Sequence, residues 1–207
     1  MPCSPMRLRL LVVPLIVDLL LLVGVSRAEA DAAAADGARS PLKNRSASVW
    51  STSPSTHLPW GAPGKVPLLT PDGWQDRRTG ESRPTLYLLV GGDGNYKAWT
   101  EDYDSRIQGL PQLRDVLVVM PEMPLFGFCT DWFNGGRGGP PAVESFHLKE
   151  VRPLLEAHYG AGTRRAAAGE SQGGFGALSC SARHPAFFRA AASYSGFVHP
   201  LRHRFPP

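Results

Sequence analysis

Ala166-Ala-Ala-Gly-Glu-Ser-Gln-Gly-Gly-Phe-Gly-Ala-Leu178 carries the strongest architectural signal in the chain. A run of small residues after Arg165 leads into Gly169-Glu-Ser-Gln-Gly173, and the following segment, Gly174 to Arg183, is stopped by His184-Pro185. That order is strand, sharp turn, helix. A Gly-x-Ser-x-Gly pattern in this setting lifts a serine above the carboxyl end of a strand, and the flanking positions must lack bulk because strand and helix are squeezed together there. Gly169, Gly173 and Gly174 meet that demand. The Oγ of Ser171 then projects above the sheet, and the N–H of Gln172, opening the helix, faces a developing oxyanion.

Outward from this turn, Thr85-Leu-Tyr-Leu-Leu-Val90 and Asp115-Val-Leu-Val-Val-Met120 are nearly continuous apolar runs. Such runs, unlike alternating ones, belong to strands covered on both faces, as in parallel sheets. The first ends at Gly91-Gly92-Asp93-Gly94, where Gly91 and Gly92 are expected to supply the second oxyanion donor, since a glycine turn lets backbone N–H approach the charge. Val66 to Thr70 reads as an edge strand, Phe146 to Tyr159 as an amphipathic helix kinked by Pro153, and Phe188 to Ser195 as a last strand closed by Gly196. Strand and helix signals alternate, so the class is α/β with a mostly parallel sheet.

The flanks read differently. Arg7 and Arg9, the apolar run Leu10 to Val25, and Ala28-Glu-Ala30 form the three parts of a secretory signal over residues 1–30, with cleavage expected near Ala30. The alternative is an N-terminal membrane anchor, disfavoured by Asp18 inside the apolar run and by its length, below the roughly 20 residues a span needs. Residues 31–63 are rich in Ala, then in Ser, Thr and Pro, without a period of 2 or 3.6, and are expected to be a disordered linker ahead of a domain over 64–207. An exported chain meets oxidising conditions, in which Cys129 and Cys180 either pair or remain two buried thiols.

The 207 residues include 22 Lys and Arg against 18 Asp and Glu, without a block of like charge, which excludes a polybasic nucleic-acid arm. Gly135-Gly-Arg-Gly-Gly139 lacks the Gly-Lys-Ser/Thr of a phosphate loop and reads as a substrate-side loop. Trp99, Phe126, Phe128, Trp132 and Phe133 form either an apolar acyl pocket or core. His184 reads as a helix end, and His199 with His203 lie in a proline-flanked tail, so no metal is expected.

The stretch from about Val66 to Gly196 resembles the esterase family of α/β-hydrolases that holds S-formylglutathione hydrolase and the secreted mycolyltransferases and diacylglycerol acyltransferases. The resemblance is carried by Leu86-Tyr-Leu-Leu-Val-Gly-Gly92, Val116-Leu-Val-Val-Met-Pro121, Thr130-Asp-Trp-Phe-Asn134, Glu144-Ser-Phe-His-Leu148 and Gly173-Gly-Phe-Gly-Ala-Leu178. It implies a three-layer α/β sandwich, Ser171 as acyl-accepting nucleophile, and Asp131 and Trp132 lining or bracing the mouth of the site. It also implies a small-molecule ester or acyl substrate and no cofactor. Two positions depart from the family pattern: Val90 stands where a His is usual, and Glu170-Ser-Gln172 where Leu-Ser-Met is usual.

In this fold an acid and then a His follow the serine in the chain. The 36 residues from Gln172 to Pro207 contain no Asp or Glu. The expectation is therefore an incomplete member of the family, its later strands missing through truncation or a frameshift and its catalysis impaired. The other two readings are a non-catalytic protein that binds an acyl chain or glycan, and a gene fragment without its own function.

Overall fold

The computed structural model describes residues 46–50, for which only the backbone is considered, and 65–199 apart from 93, 104, 134–136, 138–141. The signal segment, most of the linker, His203 and nearly all of the Gly135 to Gly139 loop lie outside the described residues.

Six strands form one sheet: β1 (Ser46–Trp50), β2 (Lys65–Leu69), β3 (Arg83–Leu89), β4 (Leu117–Val119), β5 (Ala161–Glu170) and β6 (Ala190–Tyr194), in the order β1-β2-β4-β3-β5-β6. β4, β3, β5 and β6 run parallel, while β1 and β2 are antiparallel additions at one side. The sequence places β2 at an edge and reads residues 31–63 as linker; instead Ser46–Trp50 pairs along the whole of β2. Strand pairing is a backbone interaction, so it needs no apolar period to form, and this is why the period was silent.

The two apolar runs are explained by the core. Along β3 the side chains alternate between two buried clusters: Tyr87 and Leu89 join Leu117, Val119, Phe146, Val151, Leu155 and Ala177, whereas Leu86 and Leu88 join Trp99, Ile107, Leu113, Val118 and Tyr194. Both faces of the strand are thus covered, as a continuous apolar run requires. One cover is helical. The first helical segment, α1, is built of an α turn Val143–Ser145, a π-helical stretch Phe146–Val151 and an α-helix Arg152–His158. Pro153 lies in the first turn of the last piece. Its ring and its missing N–H cannot continue an ordinary α ladder, so the wider π spacing just ahead of it absorbs the expected kink.

The second helix, α2 (Gln172–Arg183), starts directly from β5 and packs on β5 and β6. It ends at His184, as Pro185 dictates, with the His184 N–H bonded to the Cys180 carbonyl.

Candidate active site

Ser171 sits between β5 and α2 with φ 53° and ψ −117°, a conformation costly for a residue with a Cβ. Its backbone is fixed on both sides. The Ser171 N–H donates to the Tyr194 carbonyl at 2.9 Å, and its own carbonyl accepts from Phe175 N–H at 3.1 Å. Close approach of strand and helix makes the turn possible: a Cβ on Gly173 would lie 2.3 Å from the Leu89 carbonyl oxygen, and one on Gly169 would lie 2.3 Å from the Gly173 carbonyl. Ser171 therefore stands at the carboxyl end of the strand, ahead of the unpaired N–H groups that open a helix, where negative charge is stabilised.

Parallel register brings the second loop alongside. Leu89 of β3 is opposite Gly169 of β5, so the residues after Leu89 advance level with Glu170 and Ser171. Gly91 and Gly92 have different roles there. The Gly91 N–H donates to the Tyr103 hydroxyl at 3.1 Å and is committed to holding the loop. A Cβ on Gly91 would also meet the Glu170 carboxylate at 2.1 Å, so that carboxylate lies directly against the loop. The Gly92 N–H makes no hydrogen bond among the described residues, and its Cα faces Gln172, whose Cδ would be 3.7 Å from a Gly92 Cβ. Of the two glycines, Gly91 has its N–H committed to Tyr103, whereas that of Gly92 has no partner among the described residues. Tyr103 was not visible as a site residue in the sequence, because nothing in its neighbourhood marks it and only tertiary packing brings it to Gly91.

The mouth is formed by the loop after β4. Gln172, almost fully buried, donates from Nε2 to the Pro124 carbonyl at 3.1 Å and fastens this loop to the start of α2. Leu125 then lies over Gly92, 2.9 Å from where its Cβ would be, and both Leu125 and Phe126 are about half exposed, at 55% and 49%. The Trp132 indole donates to the Phe126 carbonyl at 3.0 Å. Phe128 packs edge-on to Phe175 with centroids 5.5 Å apart, and Phe133 is exposed. Trp99 belongs to the core instead: it is buried and edge-on to Tyr103, on the face of the sheet opposite α1.

Gln172 also carries a cost. Its Oε1 is buried without a hydrogen-bond partner among the described residues. Gln172→Met would lose one bond of about 1 kcal/mol but remove an unsatisfied acceptor of comparable cost, and so is expected to change stability by less than about 1 kcal/mol. Urea unfolding checks this; a loss above about 2 kcal/mol would show that the Pro124 contact dominates.

Asp131 is placed away from the serine. Its carboxylate accepts from the Ser145 N–H at 2.9 Å and from the Ser145 hydroxyl at 2.6 Å, and so caps the start of α1. It shares a groove of about 380 Å³ with Glu144, Lys149, Arg152, His184 and Phe187. That groove lies by the far end of α2, whose 12 residues span about 18 Å. His184 is consequently unable to serve Ser171, and it is hydrogen-bonded to the Glu144 carboxylate. His147 is buried between the Cys129 thiol, 3.3 Å from Nδ1, and the Glu122 carbonyl, 3.2 Å from Nε2. A carbonyl only accepts, so Nε2 carries the proton and Nδ1 accepts from the thiol. Burial pushes the His147 pKa down to about 4, partly opposed by the Glu122 bond. Cys129 and Cys180 are both buried free thiols.

Comparison with known proteins gives a consistent picture. A family model described as "Putative esterase" matches residues 55–204. Esterase Rv1288 of Mycobacterium tuberculosis (strain H37Rv) is 35% identical over 137 residues, which is 63% of this chain and 28% of that protein. The MPT51 antigen of Mycobacterium leprae is 38% identical over 88 residues, 42% of this chain and 28% of that protein. The chain thus spans little more than a quarter of the length of these relatives. Among solved structures, an S-formylglutathione hydrolase from Agrobacterium tumefaciens superposes with TM-score 0.61 at 17% identity, covering 77% of this chain and 60% of that one. MPT51 of Mycobacterium tuberculosis does so with TM-score 0.56 at 25% identity, covering 79% and 54%. The fold is that of the α/β-hydrolases, and since the family match extends over most of the sequence, through the serine turn and past β6, the chain belongs to the esterase family.

Proposed function

We propose that the chain acts on carboxylic esters through an acyl intermediate on Ser171. The observation that carries this is the strained turn at Ser171, with Gln172 opening the helix behind it and Gly92 packed beside the Gln172 side chain. The Ser171 oxygen attacks the ester carbonyl, the Gln172 and Gly92 N–H groups receive the charge on its oxygen, and the alcohol leaves with a proton as the acyl–serine bond forms. Water, or the hydroxyl of an acceptor, then takes the acyl group and restores the serine. The exposed side chains of Leu125 and Phe126 beside Gly92 suit an apolar acyl or aromatic portion of a small-molecule ester. The signal-like residues 1–30 support an exported protein.

A serine needs a base to attack efficiently, and His147 and His184 are both engaged elsewhere. In this reading the base is a group other than these two. A fluorophosphonate probe is the direct test: wild type should be labelled and Ser171→Ala should lose at least nine-tenths of the signal, about a tenfold change. Equal labelling of the two proteins would refute the acyl-serine reading. The apolar mouth around Leu125 also fits a second function, binding an acyl chain without turnover. That alternative predicts a melting temperature raised by a long-chain ester, with no ester consumed.

A further inference from the structure

At the far end of α2 from Ser171 there is a second cluster of reactive side chains. Cys180 lies in the last turn of α2 and His184 caps its end four residues on, and Glu144 reaches them from the start of α1. One ligand-capable atom from each of the three lies within 4.8 Å of the other two. We propose that Glu144, Cys180 and His184 form a site for a zinc-class divalent cation, which departs from the expectation of no metal read from the sequence.

The chemistry of the three donors fits. Thiolate, imidazole and carboxylate are the ligands that zinc takes, and three protein ligands with an open position make a tetrahedral site. Ligand atoms around a tetrahedral zinc are about 3.5 Å apart, so the cluster must contract by about 1 Å, within reach of rotamer adjustment. The surroundings already orient the ligands. Arg183 grips both oxygens of Glu144, Oε2 at 2.6 Å and, more loosely, Oε1 at 3.5 Å, and so orients the carboxylate whose Oε1 is also bonded to His184. The same guanidinium donates to the Cys129 carbonyl at 3.0 Å and ties the helix end to the loop below. Access exists as well, because Glu144 and His184 line the groove of about 380 Å³, so that a water in the fourth position would face solvent. Cys180 forms the buried floor of the cluster. Of the two thiols, Cys180 is the one within the cluster of ligand-capable atoms. Binding replaces the Cys180 proton, which passes to solvent, and the His184–Glu144 hydrogen bond, with three bonds to the cation.

The test is titration of Zn²⁺ into the reduced, chelator-stripped full chain in competition with a chromogenic chelator. One equivalent should bind, and Cys180→Ser and His184→Gln should each weaken it at least tenfold. Failure of the reduced wild type to compete, or equal affinity in Cys180→Ser, would overturn the assignment. If neither variant gives a cooperative melt, Co²⁺ bound to wild type decides: a thiolate-to-cobalt charge-transfer band supports the site, and a spectrum without one refutes it. Fluorophosphonate labelling of Ser171 should be unchanged in His184→Gln, because the cluster is a helix length away.

Discussion

Gly173→Ala is expected to destabilise the protein by at least about 3 kcal/mol and to leave little folded material. The added methyl would lie 2.3 Å from the carbonyl oxygen of Leu89, 2.6 Å from its carbonyl carbon and 2.7 Å from the carbonyl oxygen of Val90. All three atoms are backbone of the strand and loop beside the serine turn, so no flexible side chain can yield. Relief requires α2 to move off the sheet. That movement would open the contact of Gly173 with Gly169 and displace Ser171 from its position over the strand end. Gly109→Ala is the matched control, since nothing lies within 4 Å of a Cβ there and its φ is not in the left-handed region. Its stability should change by less than about 1 kcal/mol. Parallel urea unfolding of the two variants checks both statements, and a Gly173→Ala protein as stable as Gly109→Ala would show that the helix does not press on β3.

Stability should also fall steeply in mild acid because of His147. Its pKa is lowered from 6.5 to about 4 in the folded protein, chiefly by burial. The unfolded chain therefore binds a proton near pH 6.5 that the folded chain refuses until about pH 4. Stability from this group is complete above about pH 6.5, declines as the pH falls, and by about pH 4 is lower by roughly 3 kcal/mol. Carboxylates also titrate in this range, so the comparison must be with His147→Gln, which lacks the ionisation. The variant should be less stable near pH 7.5, having lost the fit between the Cys129 thiol and the Glu122 carbonyl. The gap between the two proteins should narrow by roughly 3 kcal/mol on going to about pH 4. Curves that remain parallel would mean that protonation does not open this part of the core.

Much of the fold is local and so was legible. Gly169, Ser171 and Gly173 announce the turn because only glycine tolerates the approach of helix to strand, and that constraint is written in the residues themselves. The runs at Leu86 and Val118 announce strands covered on both faces, since burial on two sides removes the alternation that a half-exposed strand shows. Pro153 and Pro185 marked their interruptions for the same local reason, the missing N–H and fixed φ.

What the sequence left open depended on contacts between distant segments. Gly91 and Gly92 look alike as a loop, and only the arrival of the Tyr103 hydroxyl at the Gly91 N–H separates the one that holds from the one left to donate. Trp99 and Trp132 look alike in the sequence as aromatic candidates, yet one is buried in the core and the other braces the loop beside Leu125. Pairing of Ser46–Trp50 with β2 left no trace because main-chain hydrogen bonds carry no side-chain signature. Glu144 and His184 are forty residues apart and acquire a shared chemistry only where α1 crosses the end of α2. Where the chain must turn and which strands are buried follow from sterics and burial within a few residues, so these are written in the residues themselves. Which polar groups meet emerges only in the folded chain, because hydrogen bonds and ligand clusters depend on the register between elements that the chain order does not specify.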